Sequence, residues 1–93
     1  MLTQIWQFNV EPGGSSIIDL PKGSLVLSVA VQQDRPVLYA LVNPSITQTE
    51  AWEVNAVPTG VPFAWNGAYQ FVGTVMFNDN QWVQQIFVRQ DNG

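Results

Sequence analysis

The chain reads as all-β: a single antiparallel β-sandwich or small barrel of about six to seven strands, closed by a C-terminal hairpin. Two observations carry this reading. Apolar side chains recur at every second position in several runs, the spacing of a half-buried strand, while helical spacing is hard to find. Clusters of Gly, Pro, Asn and Asp then break the runs at intervals of roughly 8–14 residues, as in sandwiches and barrels.

The first strand is expected over residues 2–10, with Leu2, Gln4, Trp6, Phe8 and Val10 on one face. Glu11-Pro12-Gly13-Gly14-Ser15 ends it with strong turn chemistry. A short second strand, 17–20, stops at Pro21-Lys22-Gly23. The third, 24–32, places Leu25, Leu27, Val29 and Val31 on one side, and Gln33-Asp34-Arg35-Pro36 makes the next turn. Residues 37–42 are apolar on both faces, which marks a central, buried strand ending at Asn43-Pro44. A weaker strand at 51–57 aligns Trp52, Val54 and Ala56. Pro58-Thr59-Gly60-Val61-Pro62 opens a long irregular connection through Phe63, Trp65 and Asn66-Gly67. The hairpin follows, 69–77 against 81–89. Tyr69, Phe71, Gly73, Val75 and Phe77 alternate before the turn Asn78-Asp79-Asn80; Trp82, Gln84, Ile86 and Val88 alternate after it. Residues 90–93 should fray.

Composition narrows the function. With 93 residues the chain holds one domain, 1–93, since two would each bury too little to be stable. It contains no histidine and no cysteine, so neither a Ser-His-Asp nor a Cys-His nucleophile can be assembled, and zinc loses its two favoured ligands. The net charge is −4, and the cations are Lys22, Arg35 and Arg89 alone. Three scattered cations do not make a phosphate-binding groove, which excludes nucleic acid as a partner. No apolar stretch reaches the roughly 20 residues of a membrane helix. The N-terminus lacks the basic start and apolar core of a signal peptide, so the expected location is a cytoplasm. Charged residues are only 11% of the chain, against a usual share of about 25%. A surface made soluble by Gln, Asn, Ser and Thr is cheap to desolvate, and a homo-oligomer is expected.

Few residues suggest a site. Pro21-Lys22-Gly23-Ser24 lacks the longer glycine-rich loop and following helix of a phosphate-binding loop, and reads as a β-turn. Gly13-Gly14-Ser15-Ser16 could cradle an anion with backbone N–H groups but reads as a connecting loop. Glu50 and Glu53, three apart on a strand, point to opposite faces and cannot share a proton; Glu53, Asn55 and Val57 project together as a solvated face. Asp79 is a turn former without the remaining spacing of a calcium loop. No cofactor and no metal site is expected.

The four tryptophans carry more information. Trp6 and Trp82 lie on the aligned faces of strong strands and read as core. Trp52 sits between acidic residues on the weak strand. Trp65 lies in the long connection beside Phe63, Asn66 and Tyr69. Aromatic residues in such a loop either plug the end of the sandwich or anchor a partner. The candidate binding surface is therefore Phe63, Trp65 and Tyr69, with Trp52 nearby and Arg35 or Arg89 supplying charge.

Several segments together resemble a family of small uncharacterised β-rich proteins of phages and prophages. The resemblance rests on Ile5-Trp6-Gln7-Phe8, Ile18-Asp19-Leu20-Pro21-Lys22-Gly23 and Leu25-Val26-Leu27-Ser28-Val29-Ala30-Val31-Gln32. It continues with Leu38-Tyr39-Ala40-Leu41-Val42-Asn43-Pro44, Thr59-Gly60-Val61-Pro62 and Phe71-Val72-Gly73-Thr74-Val75. It covers most of the chain in order. Val61 stands where the family pattern has a histidine, so no imidazole function transfers. The resemblance implies a phage source and a β-rich fold, and it implies no mechanism. It favours a non-catalytic binding protein in the host cytoplasm, such as a counter-defence protein that sequesters a host protein or a small nucleotide signal. The alternative is a structural or assembly component of a phage particle. A hydrolase ranks last, because carboxylates would be its only acid–base groups and no polar groups converge.

Overall fold

The alternating runs resolve into seven strands in two antiparallel sheets. The structure, a computed structural model, describes residues 2–91. In chain order the strands are β1 (Gln4–Asn9), β2 (Gly14–Pro21), β3 (Leu25–Gln32), β4 (Arg35–Val42), β5 (Thr49–Pro58), β6 (Gln70–Phe77) and β7 (Trp82–Gln90). Sheet A has the order β1-β4-β3 and sheet B the order β2-β5-β7-β6. The sheets pack into a sandwich about 41 × 30 × 15 Å. Among the described residues no helix is long and apolar enough to cross a membrane.

The interior comes from alternate residues of both sheets. Leu38, Ala40 and Val42 of β4 meet Val54 and Ala56 of β5, Val75 and Phe77 of β6, and Ile86 and Val88 of β7. Val10, Leu20 and Val26 complete the core. Each large aliphatic side chain buried there stabilises the fold by about 1.5–3 kcal/mol relative to exposure. As expected, β4 is central and buried. Its Pro36 is buried too, although proline is unusual inside a sheet. The Pro36 carbonyl accepts from the Val10 N–H at 3.1 Å, so its missing donor faces the β1 side. There β1 has already ended, with Asn9 opposite Val37, and no ladder bond is lost.

Two bulges shift the expected faces. Leu27 is an extra residue between the pairs Val26–Ala40 and Ser28–Tyr39, so Leu25 and Val29 lie on opposite faces instead of one. Val29 packs on the core, whereas Leu25 is 60% exposed. Val72 does the same between Phe71–Phe87 and Gly73–Ile86, turning Phe71 outward while Val75 and Phe77 stay inside. The bulged edges of the two sheets, β3 and β6, meet closely. A Cβ on Gly73 would stand 2.9 Å from Val29 Cγ2, so only glycine fits without a shift.

Other expectations need correction. The second strand is twice as long as expected, because Gly14, Ser15 and Ser16 already pair with Ala56, Asn55 and Val54. The strand read as weak, β5, has ten residues and pairs with both β2 and β7. Arg35 and Pro36 belong to β4; the turn before it is Gln33-Asp34 alone, both at positive φ. Asn78, Asp79 and Asn80 are also at positive φ, and the Asn78 N–H donates to Asp34 Oδ1 at 2.7 Å, linking the two turns. Gln90 is in β7, and the Asp91 N–H donates to the Ala51 carbonyl at 2.8 Å, so neither is frayed. The remainder of that expectation, residues 92–93, lies outside the described residues. The hairpin of β6 and β7 and the β-turn at 21–24 are observed, the latter closed by Ser24 N–H to the Pro21 carbonyl at 3.1 Å.

Candidate functional site

The outer face of sheet B collects the aromatic side chains. Phe87 lies there because Ile86 and Val88 point inward. Opposite it on β6 is Phe71. The connection 59–69 folds back over the same face. Thr59 ties its start to β7, with its N–H donating to the Val83 carbonyl at 3.0 Å. Asn66 shapes its far end: its Oδ1 accepts from the Ala68 N–H at 2.9 Å, and its carbonyl from the Tyr69 N–H at 3.2 Å. Phe63 is thereby laid on Phe87 with ring centroids 4.9 Å apart, and Trp65 meets Phe87 edge-on at 5.6 Å. Tyr69 contacts Phe63 at 5.2 Å, and Phe71 contacts Phe87 at 5.4 Å. Five rings share one cluster, each pair in the tilted, edge or offset geometry that aromatic quadrupoles favour.

A polar group borders the rings. Tyr69 is 9% exposed, and its hydroxyl donates a short hydrogen bond to Glu53 Oε2. Arg89, opposite Glu53 in the β5–β7 register, donates from Nη2 to Glu53 Oε1 at 3.2 Å. The guanidinium also lies over the Tyr69 ring, 4.5 Å from its centroid. Glu53 raises the Tyr69 pKa above 10.0, first by accepting the hydroxyl proton; burial adds to the shift, and a hydrogen bond from Asn55 opposes it. A cleft of about 300 Å³ runs beside the cluster, under Pro62 and Phe63 and against Asn55 and Val57.

Four of the expected site residues are brought together: Phe63, Trp65, Tyr69 and Arg89. Two are not. Trp52 is on the inward face of β5 and packs against the core; its Nε1 is buried with no hydrogen-bond partner among the described residues. Arg35 opens β4 in the other sheet and lines a separate cavity of about 540 Å³ with Asp34 and Trp82. The alternatives of plug and anchor divide within the cluster. Phe63 and Tyr69 cover Phe87, whereas Trp65 and Phe71 remain 58% and 54% exposed.

Trp6 and Trp82, expected in the core, are 36% and 50% exposed at the margins of the sandwich. Trp6 sits on edge strand β1 and its indole N–H donates to Gln4 Oε1 at 2.9 Å. Glu53 is a half-buried ion-pair partner instead of part of a solvated face. Sequence reasoning also left out Phe71 and Phe87. The signal for Phe87 was available: an aromatic residue on the supposed solvent face of a strand needs something to cover it.

Among the described residues no group of three or more Asp or Glu side chains could hold a metal ion. No curated protein and no solved structure matches the chain. A family match spans all of it, residues 1–93, and the chain belongs to that family, described as Domain of unknown function (DUF7352).

Proposed function

We propose that this is a phage-encoded binding protein without catalytic activity, acting in the host cytoplasm by capturing a host protein on the aromatic face of sheet B. The observation that carries this reading is the pair of exposed rings, Trp65 and Phe71, held on the base of Phe63, Tyr69 and Phe87. Rings already packed on one side lose little freedom when a partner covers the other. Tryptophan, tyrosine and arginine are also the residue types that dominate interface energetics.

The local charge favours a protein over a nucleotide signal. Arg89 is balanced by Glu53 at 3.2 Å, so it has no unshared charge for a phosphate, and the chain as a whole is acidic. The Tyr69, Glu53 and Arg89 groups bond to one another, and among the described residues the cleft is otherwise lined by Asn55, glycine and apolar side chains, which supports a reading without catalysis.

The test is Trp65→Ala and Phe71→Ala in a phage-infection assay where the wild-type protein changes phage growth. A hot-spot ring contributes at least about 2 kcal/mol, so each variant should weaken capture by roughly 30-fold or more and abolish the phenotype while keeping its thermal midpoint within a few degrees. Two folded variants with full activity would remove this face from the function. Turnover of any substrate by the purified protein would remove the non-catalytic reading.

A further inference from the structure

We infer that the outer face of sheet A is a contact surface for a second copy of this chain, giving a weak two-fold dimer. The inference is independent of the aromatic face of sheet B. Across sheet A the register aligns Ile5, Leu41 and Leu25 in one row on the outward side. The next row is Gln7, Tyr39 and Ser28, with the bulged Leu27 beside it, and the third is Asn9, Val37 and Ala30. Ile5 is 62% exposed, Leu25 60% and Leu27 45%. In the central strand Val37 is buried and Tyr39 and Leu41 are half-buried, so the exposed apolar part of the face is the end that carries Ile5, Leu25 and Leu27. A hollow of about 230 Å³ lined in part by Leu25, Leu41 and Ile46, with Lys22 at its wall, opens at one end of the first row, a recess that an aliphatic side chain fits.

Charge identifies the occupant. The chain carries seven carboxylates and a net charge of −4, so identical copies repel one another in most orientations. None of the seven lies in a strand of sheet A: Asp19, Glu50 and Glu53 belong to sheet B, and Glu11, Asp34, Asp79 and Asp91 lie outside the strands. Arg35 is the one charged residue in the three strands, at the far corner from the Ile5 row. The face thus carries no carboxylate, and the two cations that border it, Lys22 at the hollow and Arg35 at the opposite corner, stand at opposite ends, so two copies of this acidic chain can meet here without opposing their carboxylates.

Edge-to-edge pairing is the competing route, and the edges discourage it. β3 and β6 are bulged and face each other, and β2 carries Asp19 and Pro21. Only β1 is regular and uncharged. The size of the face sets the expected strength. Three strands about 4.8 Å apart, two of eight residues and β1 of six, make a face of at most roughly 14 by 26 Å. Two copies would remove on the order of 700–1,000 Å² from water, the range of weak, reversible complexes.

Sedimentation of the full chain from about 10 to about 500 μM tests this, with half-association expected in the tens to hundreds of micromolar. The weight-average mass should climb from 10.3 kDa towards twice that value. Leu25→Lys and Ile5→Lys, at exposed positions on the two outer strands, should each stay monomeric throughout with an unchanged thermal midpoint. Leu25 is on β3, so association through the β1 edge would survive its replacement. A wild type that stays monomeric, or a Leu25→Lys variant that associates as the wild type does, overturns the inference. So does loss of association in Trp65→Lys alone, which would move the contact to sheet B.

Discussion

The two sheets share one interior and turn unlike faces outward. Sheet B presents Phe71 and Phe87 and receives the connection 59–69, which lays Phe63, Trp65 and Tyr69 over them. Sheet A presents Ile5, Leu25 and Leu27, with Leu41 half-buried and Val37 buried between the outer strands. The difference follows from connectivity. The turns and loops of sheet A leave its strands at their ends, whereas the connection between β5 and β6 starts and finishes in sheet B and has eleven residues, 59–69, to return across it. The long connection is thus a second layer on one face, with its own hydrogen-bonded turn. One outer face becomes a shaped, polar-rimmed aromatic surface. The other remains a flat aliphatic one.

The largest expected effect separates inside from outside on a single strand. Leu38 and Leu41 are three residues apart on β4, the first fully buried and the second on the outer face of sheet A. Leu38→Asp places an unpaired charge in the core at a cost of several kcal/mol, comparable to the whole stability of a small domain, and should leave the chain unfolded by circular dichroism. Leu41→Asp should fold, with a loss of about 1–2 kcal/mol in urea denaturation for the apolar contacts removed. If Leu41→Asp also unfolds, the outer face of sheet A is not the open surface described.

A smaller effect is expected at the corner where the sheets touch. Gly73→Ala pushes a methyl group to 2.9 Å from Val29 Cγ2 and should cost about 1–3 kcal/mol by overpacking. Val29→Ala removes that methyl, so the double variant should be more stable than the sum of the two single changes implies. Additive losses would mean that the β3–β6 approach is looser than 2.9 Å and that the sheets are free to part there.

This corner also explains what the sequence could and could not reveal. Alternation correctly marked the all-β class, the C-terminal hairpin and β4 as the buried centre, because a run such as 37–42 has no polar row to offer water. It misassigned β3 and the start of β6, where Leu27 and Val72 each insert one residue and reverse the phase of what surrounds them. A bulge in an apolar run leaves the composition unchanged, so nothing in the pattern announces it. Within the candidate site, Phe63, Trp65 and Tyr69 were legible as loop aromatics near one another. Arg89 was legible only as one of three cations. Its selection over Arg35 required the β5–β7 register that sets it opposite Glu53. Trp52 looked like a neighbour in sequence but faces the other way, since strand parity divides it from Glu53.

The finest test concerns the polar rim of sheet B, which sheet A lacks. Tyr69→Phe removes the hydroxyl donated to Glu53 and keeps the ring against Phe63 and Phe87; Glu53 retains Arg89. The expected loss is about 1 kcal/mol near neutral pH, typical of one hydrogen bond. Its pH dependence should be distinctive. Glu53 and burial raise the folded-state pKa of Tyr69 above 10.0, so the folded protein holds this proton after the unfolded chain has released it. Below about pH 10 both states are protonated and the hydroxyl contributes in full; as pH rises from there towards the folded pKa, the wild type loses that contribution. Denaturant midpoints measured from about pH 8 to about pH 11 should therefore start apart and converge as pH rises. Midpoints that stay separated by a constant amount would show that Tyr69 is not held in its neutral form by Glu53. The rim would then contribute to the aromatic face by shape alone, and the two outer faces would differ in their rings and not in their hydrogen bonding.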